Sequence, residues 1–478
     1  MAETADKGKA TAGSRLWKMV DGIQGDKVVW MIVFLLFMIS ILAIFSSTPL
    51  LSLETRVERL EIMKSHGMIA AFGLMLIIAL YKMKKIGLYR FFAQFGFLVS
   101  FMLLFILDLH VNLGFIKAQH INGAWRNLIV MGFQVHVYEV VKVAMVMYLA
   151  WACHAYAIDR KATGKGEESP TFIIANMMAK SPRTAFMGKP LAKRITYIYG
   201  PALLTCAMVA PGSNSSAIVI ALVLVGTMLI GNMPWKEIVM AGLVLVVMAS
   251  IMLGIHVMTD GKFMPRLETF TERLKADYST EAIGSLKPGS KEYYDALDAI
   301  RQPYGAKIAV HEGGLLGKGS GNSTQKYCVA HIYSDYMYSF IVEEYGFLGG
   351  LLILVLYVSL LARSSIIARL CGNGFAKIAV GGLAFLITGQ AFMHIAVNVD
   401  LMPMTGQTLP LISDGASAFL MSCSAFGIIL SISRMAKEKI QTVEEQTDND
   451  KSSIAENMAK AEKSAIRTEQ TQTWNTEK

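Results

Sequence analysis

Charge is what this chain has least of. Of its 478 residues only 17% are Asp, Glu, Lys or Arg, against 54% hydrophobic, whereas soluble domains carry about 25% charged residues. The mean hydropathy is +0.45. This shortage excludes a soluble multidomain protein, whose apolar runs would be shorter and would alternate with polar residues. The expected fold class is an all-α polytopic membrane protein. Cysteine is scarce as well. Cys153, Cys206, Cys328, Cys371 and Cys423 are scattered, four of them in or beside apolar spans, so no disulfide framework is implied. His66, His110, His120, His136 and His256 are too dispersed for a metal-ligand signature. Segment 1–27 is polar, so no cleaved signal peptide is expected, and the first apolar span would serve as an uncleaved signal. The net charge of +9 does not point to nucleic acid, because the basic residues sit in short loops between apolar spans, as membrane orientation demands.

Apolar runs are what the chain has in quantity. A membrane helix needs about 20 apolar residues, and ten candidates stand at about 28–49, 66–83, 88–108, 137–157, 195–211, 214–232, 237–258, 335–362, 376–399 and 414–434. Only a Pro211-Gly212-Ser213-Asn214 turn separates the fifth from the sixth. Lys82, Lys84, Lys85 and Arg90 lie in the second connection, eight basic residues in the fourth (158–194), and Arg363, Arg369 and Lys377 in the eighth. These even-numbered connections are therefore expected in the cytoplasm, together with both termini. The predicted organisation is a cytoplasmic segment 1–27, a ten-helix membrane domain 28–434, and a charged, mostly disordered cytoplasmic tail 435–478. The large connection 259–334 between the seventh and eighth helices falls outside. It has amphipathic stretches near 262–277 and 291–302 and a Gly-rich run from Gly313 to Gly321.

Polar residues converge on that outer side. Asp335 begins the eighth span, and Glu343 and Glu344 lie about 12–14 Å deeper at 1.5 Å per residue. Carboxylates inside a membrane helix are expensive and are functional candidates by default. Glu139 and Lys142 open the fourth span on one helix face. Gln390, His394, Asn398 and Asp400 fall in or at the outer end of the ninth, and Asp414 opens the tenth. Each has a plainer reading. Glu139–Lys142 could be a helix-stabilising pair, Glu343 and Glu344 could orient the outer loop, Asp335 and Asp414 could be helix N-terminal acids, and the glycine run could be a flexible linker.

At these residues the chain resembles the SEDS family of cell-wall polymerases, the FtsW/RodA/SpoVE group, over about 28–434. The segment Met402-Pro403-Met404-Thr405-Gly406-Gln407-Thr408-Leu409-Pro410-Leu411-Ile412-Ser413 looks like the family signature LPTTGLTLPLIS. Gln390-Ala391 and Val397-Asn398-Val399 look like its QA…VNVG segment. The run from Gly317 to Lys326 looks like G-x-G-x-GNSxQK, more typical of the division members than of the elongation members. Asp335 to Gly346 resembles the helix start HTDFIFAxxxEExG. Asn122 to Arg126 and Glu139-Val140-Val141-Lys142 resemble the NGAxRW and SExxK elements. The chain departs from the pattern at Tyr333-Ser334, at Trp125-Arg126-Asn127, and at Ile412-Ser413-Asp414-Gly415-Ala416. It also has Pro211-Gly212-Ser213-Asn214-Ser215 where the family has Pro-Asp-x-Gly-Thr. That acid is missing here, and Asp414 is the one residue that could stand in for it.

The resemblance implies a peptidoglycan glycosyltransferase that polymerises lipid II at the outer face of the cytoplasmic (inner) membrane, at the division site. It makes Asp335 the catalytic base. Arg126 and Lys142 are the first candidates to receive the diphosphate, Lys318 and Lys326 the second, and Glu139 would hold Lys142. Gln390, Asn398, Thr405 and Ser413 complete the expected substrate site. No cofactor is required by the pattern, and a magnesium or manganese ion between carboxylate and diphosphate is compatible with it. The expected partners are a class B penicillin-binding transpeptidase (FtsI-like), divisome membrane proteins and membrane lipids. A lipid II flippase and a catalytically weak scaffold for the transpeptidase are the alternative functions.

Overall fold

The structure is a computed structural model that describes residues 24–110, 112, 116–121, 124–130, 132–165, 167, 170–258 and 290–438. The predicted amphipathic stretch 262–277 and most of both terminal segments lie outside those residues. Two compact units are distinguished, Asp26–Ile432 and one that joins residues up to Gly25 with those from Ser433 onward. In the smaller unit the Lys437 ammonium donates to the Gly25 carbonyl at 2.9 Å.

In chain order the helices are α1 (Lys27–Ser47), α2 (Pro49–Thr55), α3 (Arg59–Lys82), α4 (Ile86–Asp108), α5 (Val137–Gly164), α6 (Ile173–Ala179), α7 (Pro190–Arg194), α8 (Gly200–Val209), α9 (Asn214–Ile230), α10 (Trp235–Met258), α11 (Lys291–Gly313), α12 (Met337–Leu370) and α13 (Gly374–Asn398). The last, α14, is Ala416–Glu438. Among the described residues eight of them are long and apolar enough to cross a membrane: α1, α3, α4, α5, α10, α12, α13 and α14. The chain is a multi-pass membrane protein of mostly helical fold. Large apolar side chains such as Phe34, Phe72, Met102 and Val246 are more than half exposed, as lipid-facing surfaces require.

The fifth and sixth expected spans depart from regular, full-length helices. The fifth is a composite, with α7 leading through a π-helical turn at Ile195–Tyr199 into α8. Proline at the start of α8 and the Pro211-Gly212 turn prevent one long regular ladder. The sixth, α9, has 17 residues. The third connection is also not helical. It forms a three-stranded antiparallel sheet, β1 (Ile116–Ile121), β2 (Ala124–Val130) and β3 (Phe133–His136), in that spatial order. The fold is thus helical with a small sheet, where an all-α chain was expected.

At the centre of the bundle α13 packs against α12, α5 and α9. Asp26 locks α1 to α12. One carboxylate oxygen caps α1 by accepting from the N–H groups of Val28 and Val29 at 3.0 and 3.2 Å, and the other takes the Arg363 guanidinium at 2.5 Å. Helix α12 is interrupted at Gly346, whose φ of 71° and ψ of −174° lie outside helical space. The carbonyls released there are not left bare, because the glycine-rich run supplies their partners. The N–H groups of Lys318 and Gly319 donate to the carbonyls of Glu343 and Glu344 at 2.9 Å each, and those of Phe347 and Leu348 donate to the carbonyls of Gly314 and Leu315. Non-helical backbone at membrane depth is tolerated when protein satisfies it in this way. Only glycine fits at position 346, since an added Cβ would sit 2.3 Å from the Leu315 carbonyl oxygen. The Gly313–Gly321 run is therefore a structured clasp rather than a free linker.

Candidate active site

Asp335 closes a turn just before α12. Its N–H donates to the carbonyl of His331, which sits in left-handed space at φ 57°, and its Oδ1 receives the Ser334 hydroxyl at 3.1 Å. The residue is half-buried. The first N–H groups of any helix lack internal partners, and here α13 provides them. Asn398 Oδ1 accepts from both the N–H and the hydroxyl of Ser339 at 2.9 Å, while its amide nitrogen donates to the Asp335 carbonyl at 3.1 Å. His394 Nδ1 donates to the Gln407 carbonyl at 2.7 Å, so the facing Nε2 is free to accept from the Tyr338 N–H at 3.4 Å. Asn398 is buried, and its role in the structure is to fix the main chain of Asp335.

The loop from Met402 to Ser413 grips the same turn from the other side. Ser413 donates to the Ser334 carbonyl at 2.8 Å and accepts from the Leu409 N–H, while the Asp414 N–H donates to the Tyr333 carbonyl. Gly406, in left-handed space at φ 63°, passes the carboxylate so closely that a Cβ there would lie 3.8 Å from Asp335 Oδ2. Thr405, half-buried, precedes it. The next residue, Gln407, joins a second cluster. The buried Lys142 ammonium donates to Glu139 at 2.6 Å, Gln390 at 3.0 Å and Gln407 at 3.2 Å. Gln407 in turn donates to Ser216, which is bonded to the α9 cap Ser213. One loop thus places a carboxylate beside residue 406 and a cation beside residue 407.

Arg126, on β2, donates from Nε to the Gly212 carbonyl at 3.2 Å. The position of the missing acid is also explained. A Cβ on Gly212 would meet the Tyr138 hydroxyl at 1.8 Å and the Trp125 carbonyl at 3.0 Å, and that hydroxyl donates to Trp125 at 3.1 Å. The tyrosine occupies the volume an acid would need. Asp414 does not replace it, because its carboxylate lies 3.6 Å from His66 Nδ1. His136, which precedes α5, is pushed below the ordinary imidazole range by burial, with Lys142 and Arg126 adding to the effect and Glu139 opposing it.

Lys318 and Lys326 fall in a separate knot. Glu343, fully buried, accepts from Lys318 Nζ at 2.8 Å, the Ser323 hydroxyl at 2.5 Å, and the hydroxyl and N–H of Thr324. Lys318 also pairs with Glu312. Burial works against its ammonium, but the hydrogen bonds to Glu312 and Glu343 outweigh it and raise its pKa. Glu344 takes the Ser46 hydroxyl at 2.5 Å and the Gly321 N–H at 3.0 Å, with the buried Lys326 at 3.8 Å. Both lysines therefore tie the glycine clasp to α12. Sequence reasoning missed Gln407 and Ser216, although Gln407 was visible as an amide where the quoted signature has leucine.

Among the described residues no three of His, Cys, Asp and Glu converge. Asp335 with its neighbouring hydroxyl fits a divalent ion only in the manner of one protein carboxylate shared with phosphate oxygens.

Residues 26–438 match the family model described as "Cell cycle protein", FTSW_RODA_SPOVE. The chain is 39% identical over 155 residues to the "Probable peptidoglycan glycosyltransferase FtsW" of Hahella chejuensis, covering 32% of this chain and 39% of that one. It is 28% identical over 238 residues to the "Peptidoglycan glycosyltransferase MrdB" of Escherichia coli, covering 46% and 61%. These first relatives are thus spanned over less than two thirds of their length. A chain solved in "Structural coordination of polymerization and crosslinking by a peptidoglycan synthase complex" superposes with a TM-score of 0.53 at 19% identity, over 86% of this chain and 98% of that one. With a family match over nearly the whole helical region and a shared fold, the chain belongs to the FtsW/RodA/SpoVE family.

Proposed function

We propose that this chain is a peptidoglycan glycosyltransferase that polymerises lipid II into glycan strands on the outer face of the cytoplasmic membrane during division. The observation that carries the reading is Asp335, a half-buried carboxylate. Its main chain is clamped by Asn398, and the carbonyl of its neighbour Ser334 by Ser413, at the mouth of an interrupted membrane helix. The 4-hydroxyl of one sugar attacks the anomeric carbon of the growing chain. The C–O bond to undecaprenyl diphosphate breaks, and the hydroxyl proton passes to the Asp335 carboxylate. A base serves this role when it lies within hydrogen-bond reach of the attacking hydroxyl, and a turn held from two sides keeps it there.

The departing diphosphate is stabilised by fixed positive charge. Lys142 supplies it next to the Gly406–Gln407 loop, oriented by Glu139, Gln390 and Gln407, and Arg126 is the second cation. Asp335 is the residue that would hold a magnesium or manganese ion, whose chemistry there would be further neutralisation of charge. The partner is a class B penicillin-binding transpeptidase with a single membrane helix, within the division machinery. A flippase needs polar groups lining a path across the membrane. Here the deep carboxylates Glu343 and Glu344 are engaged by the clasp and by Ser46, which favours polymerisation.

The purified full chain with its transpeptidase, given labelled lipid II, is expected to yield glycan polymer, and the Asp335→Asn variant none. Lipid crossing vesicles without polymer would establish the flippase instead, and neither outcome the scaffold. Chelation with EDTA tests the ion: polymerisation that persists unchanged in EDTA removes it from the mechanism.

A further inference from the structure

A cavity of about 520 Å3 opens between α5, α9 and α13 at the end of α5 away from Asp335. Its lining residues on α5 lie roughly 17 to 28 Å along the helix from Lys142, at 1.5 Å per residue. That volume is in the range of small-molecule and cofactor pockets, about 300–1,000 Å3. The walls are apolar and include buried Cys153, Met233 and Ile378. Around them stand Arg160, Lys161 and Lys377, all exposed. No carboxylate lines the space. The nearby acids are already engaged, Asp159 by Lys193 at 2.8 Å and Glu237 by Arg194 at 2.5 Å. Among the described residues Arg160, Lys161 and Lys377 make no ion pair.

Two further features add positive potential. Gly374, the first residue of the 25-residue helix α13, is on the lining, so the helix presents its positive end there. Arg90 stands behind the rim, donating to His154 Nε2 at 3.0 Å and to the α13 cap Asn373 at 3.3 Å. Basic residues at membrane-helix ends are also expected from orientation alone. Orientation does not call for an open, largely apolar cavity of this size with a cationic rim. That combination suits an amphiphile with an anionic head.

We propose that this cavity is a binding site for the phosphate-bearing headgroup of an anionic phospholipid, with Arg160, Lys161 and Lys377 holding the phosphodiester and Met233 and Ile378 contacting the chain. Basic pockets between membrane helices recognise lipid headgroups through this chemistry.

The test is native mass spectrometry of the full-length protein released from nanodiscs of mixed phosphatidylglycerol and phosphatidylcholine. The wild type is expected to keep one phosphatidylglycerol in preference to phosphatidylcholine. The R160Q/K161Q/K377Q variant is expected to lose it by about a hundredfold, from about fivefold per charge. Ala157→Phe, which narrows the cavity and leaves every charge in place, should lose it too, and it carries the test if the triple variant does not fold. Equal retention of phosphatidylcholine, or unchanged retention in both variants, would overturn the site. Displacement of the lipid by millimolar inorganic phosphate would assign the cations to a soluble anion and overturn the lipid.

Discussion

Acids stand at two places along this segment, Asp335 just before α12 and Glu343 within it, and the structure treats them in opposite ways. At Glu343 the surroundings bind the carboxylate itself: an ammonium, two hydroxyls and main-chain N–H groups converge on it, and no surface is exposed. At Asp335 the clamps from α13 and the 402–413 loop act on main-chain atoms, through Asn398 on its own carbonyl and Ser413 on that of Ser334, while its carboxylate takes the neighbouring Ser334 hydroxyl and the residue stays half-buried. A carboxylate used as a structural hub is saturated with donors, which fixes its position and makes proton exchange costly. A carboxylate positioned through its backbone keeps its side chain at an accessible surface. The same residue chemistry thus separates into a fastener and a candidate base by what is held.

The sharpest way to break this comparison is to exchange the two roles by mutation. Asp335→Asn should lower polymerisation by about 10³-fold, within the 10²–10⁴ range of a positioned general base, with the melting temperature in detergent unchanged. A large loss of thermal stability in that variant would make Asp335 a fastener as well. Glu343→Ala should do the reverse. Removing the acceptor strands Lys318, Ser323 and Thr324, a loss of about 3 kcal/mol by analogy with broken buried pairs, read as a lower melting temperature and faster proteolysis between 313 and 326.

Next in size is the Gly212 site. Gly212→Ala should destabilise by about 1–3 kcal/mol, as overpacking does, and Tyr138→Phe in the same chain should recover part of that, because the nearest clash is with the hydroxyl. Additivity of the two changes would show that the tyrosine does not fill the acid's place. The smallest effect is expected from His136. Its folded pKa is lowered from 6.5 by burial, so the unfolded chain takes up a proton first. The stability it contributes is present above about pH 6.5 and is lost as the pH falls from there toward the folded value. Thermal melts of His136→Gln between pH 7 and pH 5 should be flatter than those of the wild type.

Much of this was legible in the sequence for identifiable reasons. Membrane helices announce themselves by uninterrupted apolar length, and Glu139–Lys142 by its i,i+3 spacing. The start of α12 was marked by Asp335. The capping of α12 by Asn398 and His394 was not legible, because those groups come from a helix nearly sixty residues away and look like any polar residues in a span. The sheet is announced in the sequence only by Asn122-Gly123, a strong hairpin signal, because the motif resemblance of the surrounding residues says nothing of strand pairing. The break at Gly346 lay inside a run that looks continuous to Leu361, and the glycine clasp that fills it has the composition of a linker.

That break has a mechanical meaning. Residues 337–345 are joined to the rest of α12 by a pivot at Gly346, and the nearest covalent neighbours of that pivot are laced to residues 314–319. Because Glu343 and Glu344 on one side and Phe347 and Leu348 on the other are all bonded to the clasp, residues 314–319 bridge the two halves of α12. The glycine run thus works as a splice across a discontinuous helix.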